Sequence, residues 1–293
     1  MTKHSNWRWP LAGILFAILW ASASTATKTG LASAQPLILA VVRFGVAALI
    51  MLFISHVIKG HRLPAGKEWK QLAMYGLLNI TIYLGLYVLA MKTVTAGIGA
   101  LAVATNPVFI SLMSVFILKK KLTLPVILGI LICMTGIFCA AFPLLMDAEI
   151  SLQGLLIILL SMLSYSVGAI YYASKNWTSL DLFTINGWQT LIGGALLLPF
   201  ALSFYSGPAN QFDLNFWVSV LWLAIPVSIV AVLLWLYLLQ TDAVNAGLWL
   251  FLCPLFGILT AALLVGDQIN LYTIAGVVLV ISGLFVTRMG SRK

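Results

Sequence analysis

Residues 96–139, AGIGALAVATNPVFISLMSVFILKKKLTLPVILGILICMTGIFC, return 147 positions later as residues 243–286, AVNAGLWLFLCPLFGILTAALLVGDQINLYTIAGVVLVISGLFV. Ala96 falls on Ala243, Leu101 on Leu248, Pro107 on Pro254, Phe109 on Phe256 and Leu112 on Leu259. Leu124, Ile127, Gly129, Gly136 and Phe138 then fall on Leu271, Ile274, Gly276, Gly283 and Phe285. Ten gapless identities exceed what apolar composition readily gives, and the shared Pro and Gly residues are not hydrophobic filler. With small loop adjustments Phe16–Ser24 also aligns with Leu160–Gly168, and Arg43–Leu52 with Gln189–Leu198. The chain is read as two related halves, 1–146 and 147–293.

Composition sets the medium. Of 293 residues 62% are hydrophobic and 8% charged, with a mean hydropathy of +1.09. Apolar runs recur at 9–28, 37–58, 69–91, 94–118, 123–143, 152–173, 181–203, 215–239, 243–265 and 270–288. Each is long enough to cross a hydrocarbon core of roughly 30 Å as a helix. The expected fold is therefore an all-α integral membrane protein of ten transmembrane helices, in two five-helix repeats. Five is odd, so the second repeat enters the membrane inverted relative to the first. Lys3, Arg8 and a short apolar run imitate a cleavable signal. Helix one is nonetheless expected to stay, because its internal counterpart, Gly154 to Tyr172, cannot be one.

The charges follow the same plan. The net charge of +9 is carried by short connectors without interleaved aromatics, which disfavours nucleic acid. Thirteen Lys and Arg, among them Lys59, Arg62, Lys119, Lys120, Lys121 and Lys175, sit at the N-terminus, the even-numbered loops and the tail. Only Lys28 and Lys92 lie on the other side. By the positive-inside rule both termini face the cytoplasm of a plasma membrane, the inner membrane if the source is bacterial.

Inverted repeats that rock about a shared midplane site are a recurring plan of secondary transporters. Pro107 and Pro254 lie mid-helix at equivalent positions, and each frees a carbonyl four residues back, that of Val103 and Leu250. They are expected to act as paired hinges. Arg43 is the one charge well inside a span, with no acid at its depth. Its options are to reach water outward, cap a carbonyl, or meet an anionic group of a substrate. Tyr75, Asn79, Tyr83 and Tyr87 form one face of helix three. The glycine pairs Gly129/Gly136 and Gly276/Gly283 each occupy one helix face, where they let a neighbour approach closely. Cys133, Cys139 and Cys253 fall inside spans, offering neither a disulfide framework nor metal spacing. No Walker loop and no nucleophile–His–acid set appears, so neither a cofactor nor an enzymatic role is expected.

Ten spans in two repeats resemble the EamA branch of the drug/metabolite transporter superfamily. So do Ala96-Gly97 with Asn106-Pro107-Val108-Phe109, and Ala243 with Cys253-Pro254-Leu255-Phe256. Where that family carries a Gly-Glu pair at the ends of these helices, this chain has Lys119-Lys120 and Gly266-Asp267. The resemblance implies a cavity bounded by helices one, three, four, six, eight and nine, with Trp20, Asn79, Tyr83, Tyr87, Asn106, Tyr165, Trp235 and Trp249 as lining candidates. It implies export or exchange of a small metabolite, read here as amino-acid-like; the expected partners are that metabolite and the lipid bilayer, and the chain is expected to work as a monomer. The competing readings are an uptake permease for a nucleoside- or cofactor-like metabolite, an intramembrane enzyme and a structural membrane subunit.

Overall fold

The computed structural model describes residues 7–94, 96–147, 151–265 and 271–290. Lys3, Glu149, Gly266-Asp267, Arg292 and Lys293 lie outside them. Among the described residues every regular element is helical. The first half runs α1 (Arg8–Leu31), α2 (Pro36–Ile58), α3 (Lys67–Ala90), α4 in two pieces (Ala96–Val103 and Asn106–Ile117) and α5 (Leu124–Asp147). The second runs α6 (Leu152–Ser174), α7 (Leu182–Ser203), α8 (Leu214–Thr241), α9 in three pieces (Ala243–Leu248, Trp249–Phe251, Leu252–Val265) and α10 (Leu271–Gly290). Among the described residues six helices, α1 to α3 and α6 to α8, are long and apolar enough to cross a membrane. Shorter apolar runs occupy Leu101–Ile117, Leu124–Ala140, Ala243–Gly257 and Ile274–Thr287.

In hydrocarbon no water can satisfy a backbone amide, so helices that close their own hydrogen bonds are the natural solution. Their outward faces carry large apolar groups: Phe116 is 81% exposed, Leu214 78% and Phe285 67%. That surface suits acyl chains, whereas a soluble fold would place charge there.

Packing pairs each half with the other. α2 lies along α7, and α5 along α10. α1 packs on α8 and α9 while α6 packs on α3 and α4, the same relation with the halves exchanged. At the α5–α10 crossing the repeated glycines meet each other. A Cβ on Gly136 would lie 2.8 Å from the carbonyl oxygen of Gly276, and one on Gly129 2.7 Å from that of Gly283. Without a hydrophobic drive between helices in lipid, such close approach supplies the packing contact that holds them together.

Loops of the two halves meet in pairs. The α2–α3 and α6–α7 loops meet where Arg62 donates to Glu68 at 2.6 and 2.8 Å and Ser179 donates to the same carboxylate at 2.6 Å. The α4–α5 loop reaches the α8–α9 junction through Lys120 and Asp242 at 2.7 Å. At the α1–α2 and α7–α8 loops, Gln35 N–H donates to Asn210 Oδ1 at 2.9 Å and Ser33 Oγ donates to Asp213 at 3.0 Å.

Four helices depart from regular α geometry near the centre. α4 breaks between Val103 and Asn106, just ahead of Pro107, and α9 narrows to 3-10 geometry over Trp249–Phe251, just ahead of Pro254. α8 widens into a π-helix over Leu223–Ala231, around Pro226, and α3 does the same over Leu77–Ile82, where the repeat equivalent of Pro226 is Asn79. Carbonyls in the two π segments take side-chain donors from neighbouring helices. Ser164 Oγ donates to Leu78 O at 2.8 Å, and Asn186 Nδ2 donates to Ser228 O at 2.8 Å. Irregular backbone at such positions commonly marks a functional site in membrane and soluble helices alike.

Candidate functional site

These irregular segments surround a small cavity. Its walls are Trp20, Ala21, Ala23 and Ser24 of α1, Arg43 of α2, Tyr83, Leu84 and Tyr87 of α3, Val103 of α4, Val227 of α8 and Cys253 of α9. The space is ≈ 20 Å³, about enough for one water molecule, so the centre is tightly packed. The α1 contribution follows from spacing: Ala17, Ala21 and Ser24 fall on one helix face and are all buried, with Lys28 one turn further on.

An aromatic cluster stands behind the cavity. Tyr83 contacts Tyr165 at 4.8 Å between ring centroids, Tyr165 stacks on Trp235 at 5.5 Å, and Trp20 lies 5.9 Å from Tyr165. Phe16 of α1 closes the group, 5.1 Å from Trp235 and 5.4 Å from Trp20. Among the described residues the buried Tyr165 hydroxyl and Trp235 indole N–H find no hydrogen-bond partner. Such groups cost about 1–3 kcal/mol each unless something else satisfies them.

Arg43 is 2% exposed and forms one wall. Its Nε donates to Ser228 Oγ at 2.9 Å, and its guanidinium carbon lies 5.3 Å from the Phe44 ring. Among the described residues it forms no ion pair. The bond to Ser228 joins a buried polar relay. Asn186 donates to the Ser228 carbonyl, Gln189 Nε2 donates to Asn186 Oδ1 at 2.9 Å, and Asn79 Nδ2 donates to Gln189 Oε1 at 3.2 Å. The relay threads α2, α8, α7 and α3, and it uses the two residues, Arg43 and Gln189, that the repeat aligns.

The structure thus brings Trp20, Arg43, Tyr83 and Tyr87 to the cavity wall and places Tyr165 and Trp235 directly behind it. It puts three other candidates elsewhere. Asn79 belongs to the relay. Asn106 is fully buried between α4 and α6, donating to Met162 Sδ at 3.3 Å and accepting from Ser166 Oγ at 3.1 Å. Trp249 faces Trp9 at 5.6 Å and borders a separate groove of ≈ 560 Å³ with Asp242, Asn245 and Phe285. Tyr75, on the same face of α3, is fully buried and packs on Tyr172 at 5.2 Å.

Sequence reasoning passed over Ser24, Val103, Val227 and Cys253 as wall residues. The repeat carried a signal for one of them, since Cys253 is the equivalent of Asn106 and precedes Pro254 as Asn106 precedes Pro107.

A helical membrane bundle closed around an aromatic and polar chamber has the form of a membrane transporter. Comparison with known proteins agrees. The profile of the EamA-like transporter family matches twice, over residues 7–142 and 152–289, and the chain belongs to that family. An uncharacterized transporter of Archaeoglobus fulgidus is 25% identical over 286 residues, spanning 93% of this chain and 94% of its own. The uncharacterized transporter YoaV of Bacillus subtilis is 24% identical over 276 residues, 93% and 94% of the two chains. One crystal structure superposes with a TM-score of 0.80 at 17% identity, covering 97% of this chain and 98% of the other, which shows a shared fold. The protein is a multi-pass membrane transporter.

Proposed function

We propose that this chain is a secondary transporter, an exporter or exchanger of a small amino-acid-like metabolite, working by alternating access. In this reading all ten apolar segments cross the membrane, residues 1–146 and 147–293 form inverted five-helix repeats, and both termini are cytoplasmic. The observation that carries it is the shared cavity, whose wall takes Trp20, Ser24, Arg43 and Tyr83 from one half and Val227 and Cys253 from the other. A chamber shared by two halves opens to one side or the other as they rock.

The breaks support the same reading. Helices interrupted at Val103–Asn106 and Trp249–Phe251 can bend there with few backbone hydrogen bonds to break, so Pro107 and Pro254 serve as hinges. The aromatic wall contacts the apolar part of the cargo, and the polar groups orient its head. The partners are the cargo and the bilayer, and the working unit is a monomer.

The test is transport by the purified chain in proteoliposomes, screening amino acids and related metabolites by counterflow. Tyr83→Ala abolishes transport while the variant stays folded and monodisperse. Unaltered kinetics in that variant would remove the cavity from the transport path.

A further inference from the structure

The cavity wall holds one fixed charge. Arg43 is 98% removed from solvent by position, with Nε committed to Ser228 and no carboxylate within ion-pair reach among the described residues. A cation inside a span is costly unless paired, and such residues usually face the groups they serve. The remaining wall residues are neutral.

The guanidinium fork takes a carboxylate or a phosphate through two parallel N–H···O bonds in one plane, so charge decides between them. With a single Arg present, a monoanion leaves the closed chamber neutral, whereas a phosphate dianion leaves net negative charge in low dielectric. An α-ammonium group brings the opposite difficulty. No acid on the wall balances it, and it would sit close to the guanidinium. Lys28, half-buried one turn beyond Ser24 on α1, is the next ionisable group along that helix, and it too is a cation. The aromatic rings behind the wall suit an apolar or aryl body.

We infer that the central site is built for a monocarboxylate anion with an apolar or aromatic body, that Arg43 binds its carboxylate, and that removing the α-amino group from an amino acid strengthens binding. The inference narrows the amino-acid-like cargo proposed above to its carboxylate and apolar body, setting the α-amino group aside, and rests on that reading only in calling this ligand the cargo.

The experiment measures binding to the purified chain in nanodiscs, by thermal shift and calorimetry, with 3-phenylpropionate, phenylalanine and 3-phenylpropionamide. The acid binds most tightly and phenylalanine less so. The amide, lacking the charge-assisted bonds, binds about ten- to a hundredfold more weakly than the acid. Arg43→Gln copies the residue that the other half carries at this position. It should fold and bind acid and amide alike, while Arg43→Lys keeps the order. The wild-type comparison decides the matter even if Arg43→Gln does not fold. Equal binding of acid and amide, tighter binding of phenylalanine than of the acid, or no binding of the acid overturns the inference. Acid binding without counterflow leaves the anion site and shows that this ligand is not the cargo. Counterflow indifferent to the carboxylate does the reverse.

Discussion

Arg43 on α2 and Gln189 on α7 hold equivalent places in the two halves, and the structure joins them through two residues. Arg43 Nε donates to Ser228 Oγ at 2.9 Å, Asn186 Nδ2 donates to the Ser228 carbonyl at 2.8 Å, and Gln189 Nε2 donates to Asn186 Oδ1 at 2.9 Å. A charge and its neutral counterpart are thus tied into one relay that crosses from the first half to the second. It gives the cavity wall a rigid backing where α3 and α8 are both π-helical.

Asn186 is the joint of that relay. Asn186→Leu strips the partner from Gln189 Nε2 and from the Ser228 carbonyl, both buried, and costs roughly 1–2 kcal/mol. A lowered melting temperature in detergent checks this, with Ser203→Ala, on an exposed end of α7, as a neutral control.

The glycine crossing of α5 and α10 makes a sharper contrast. A Cβ at Gly136 would lie 2.8 Å from a backbone carbonyl oxygen, which cannot swing aside, and Gly136→Leu should lose folded protein on size exclusion. Gly45 has nothing within 4 Å of its would-be Cβ. Gly45→Ala should leave the melting temperature unchanged or slightly higher, since alanine is the better helix former.

Trp20 and Trp249 separate the two spaces. Trp20 walls the cavity, and Trp249 packs on Trp9 beside the outer groove. Trp20→Ala should raise the transport KM or abolish uptake. Trp249→Ala should lower stability with KM unchanged, as read from uptake kinetics in proteoliposomes.

Asp213 caps α8 from the loop. Its carboxylate accepts from Phe216 N–H at 2.8 Å and from Ser33 Oγ at 3.0 Å, and those bonds, the backbone one first, hold its pKa below the ordinary 3.8. A folded-state value lower than the unfolded one means stabilisation that is present above 3.8 and fades as the pH falls through the folded-state value. Asp213→Asn keeps a capping oxygen but cannot titrate. Its melting temperature should therefore fall less than that of the wild type on acidification below pH 3.8.

The fold was largely legible because its signals are local. Apolar length locates the helices, and Pro107 and Pro254 locate the breaks in α4 and α9. Gly129, Gly136, Gly276 and Gly283 mark close contact, though only the coordinates reveal that they face each other. The π segment of α3 left no trace in sequence, since its repeat equivalent in α8 is built around Pro226 and α3 has Asn79 there. The site was legible in part. Trp20, Tyr83 and Arg43 stood out as polar or aromatic groups in apolar spans. Trp249 and Asn106 stood out on the same grounds, yet depth and rotation sent one to a peripheral groove and the other into a helix contact. Those two quantities depend on packing against distant helices, which a periodic pattern does not encode. An isolated thiol does not tell wall from core, so only the repeat position that Cys253 shares with Asn106 marked it.

Cys253 now offers the most direct test of a chamber that opens alternately. In a Cys133→Ala, Cys139→Ala background it is the single thiol, buried and on the cavity wall. It can be challenged in oriented vesicles with a small membrane-impermeant methanethiosulfonate added to one face at a time. Alternating access predicts modification from each face in turn, with rates that shift in opposite directions when cargo is supplied. Modification from one face alone, whatever the cargo, would contradict it.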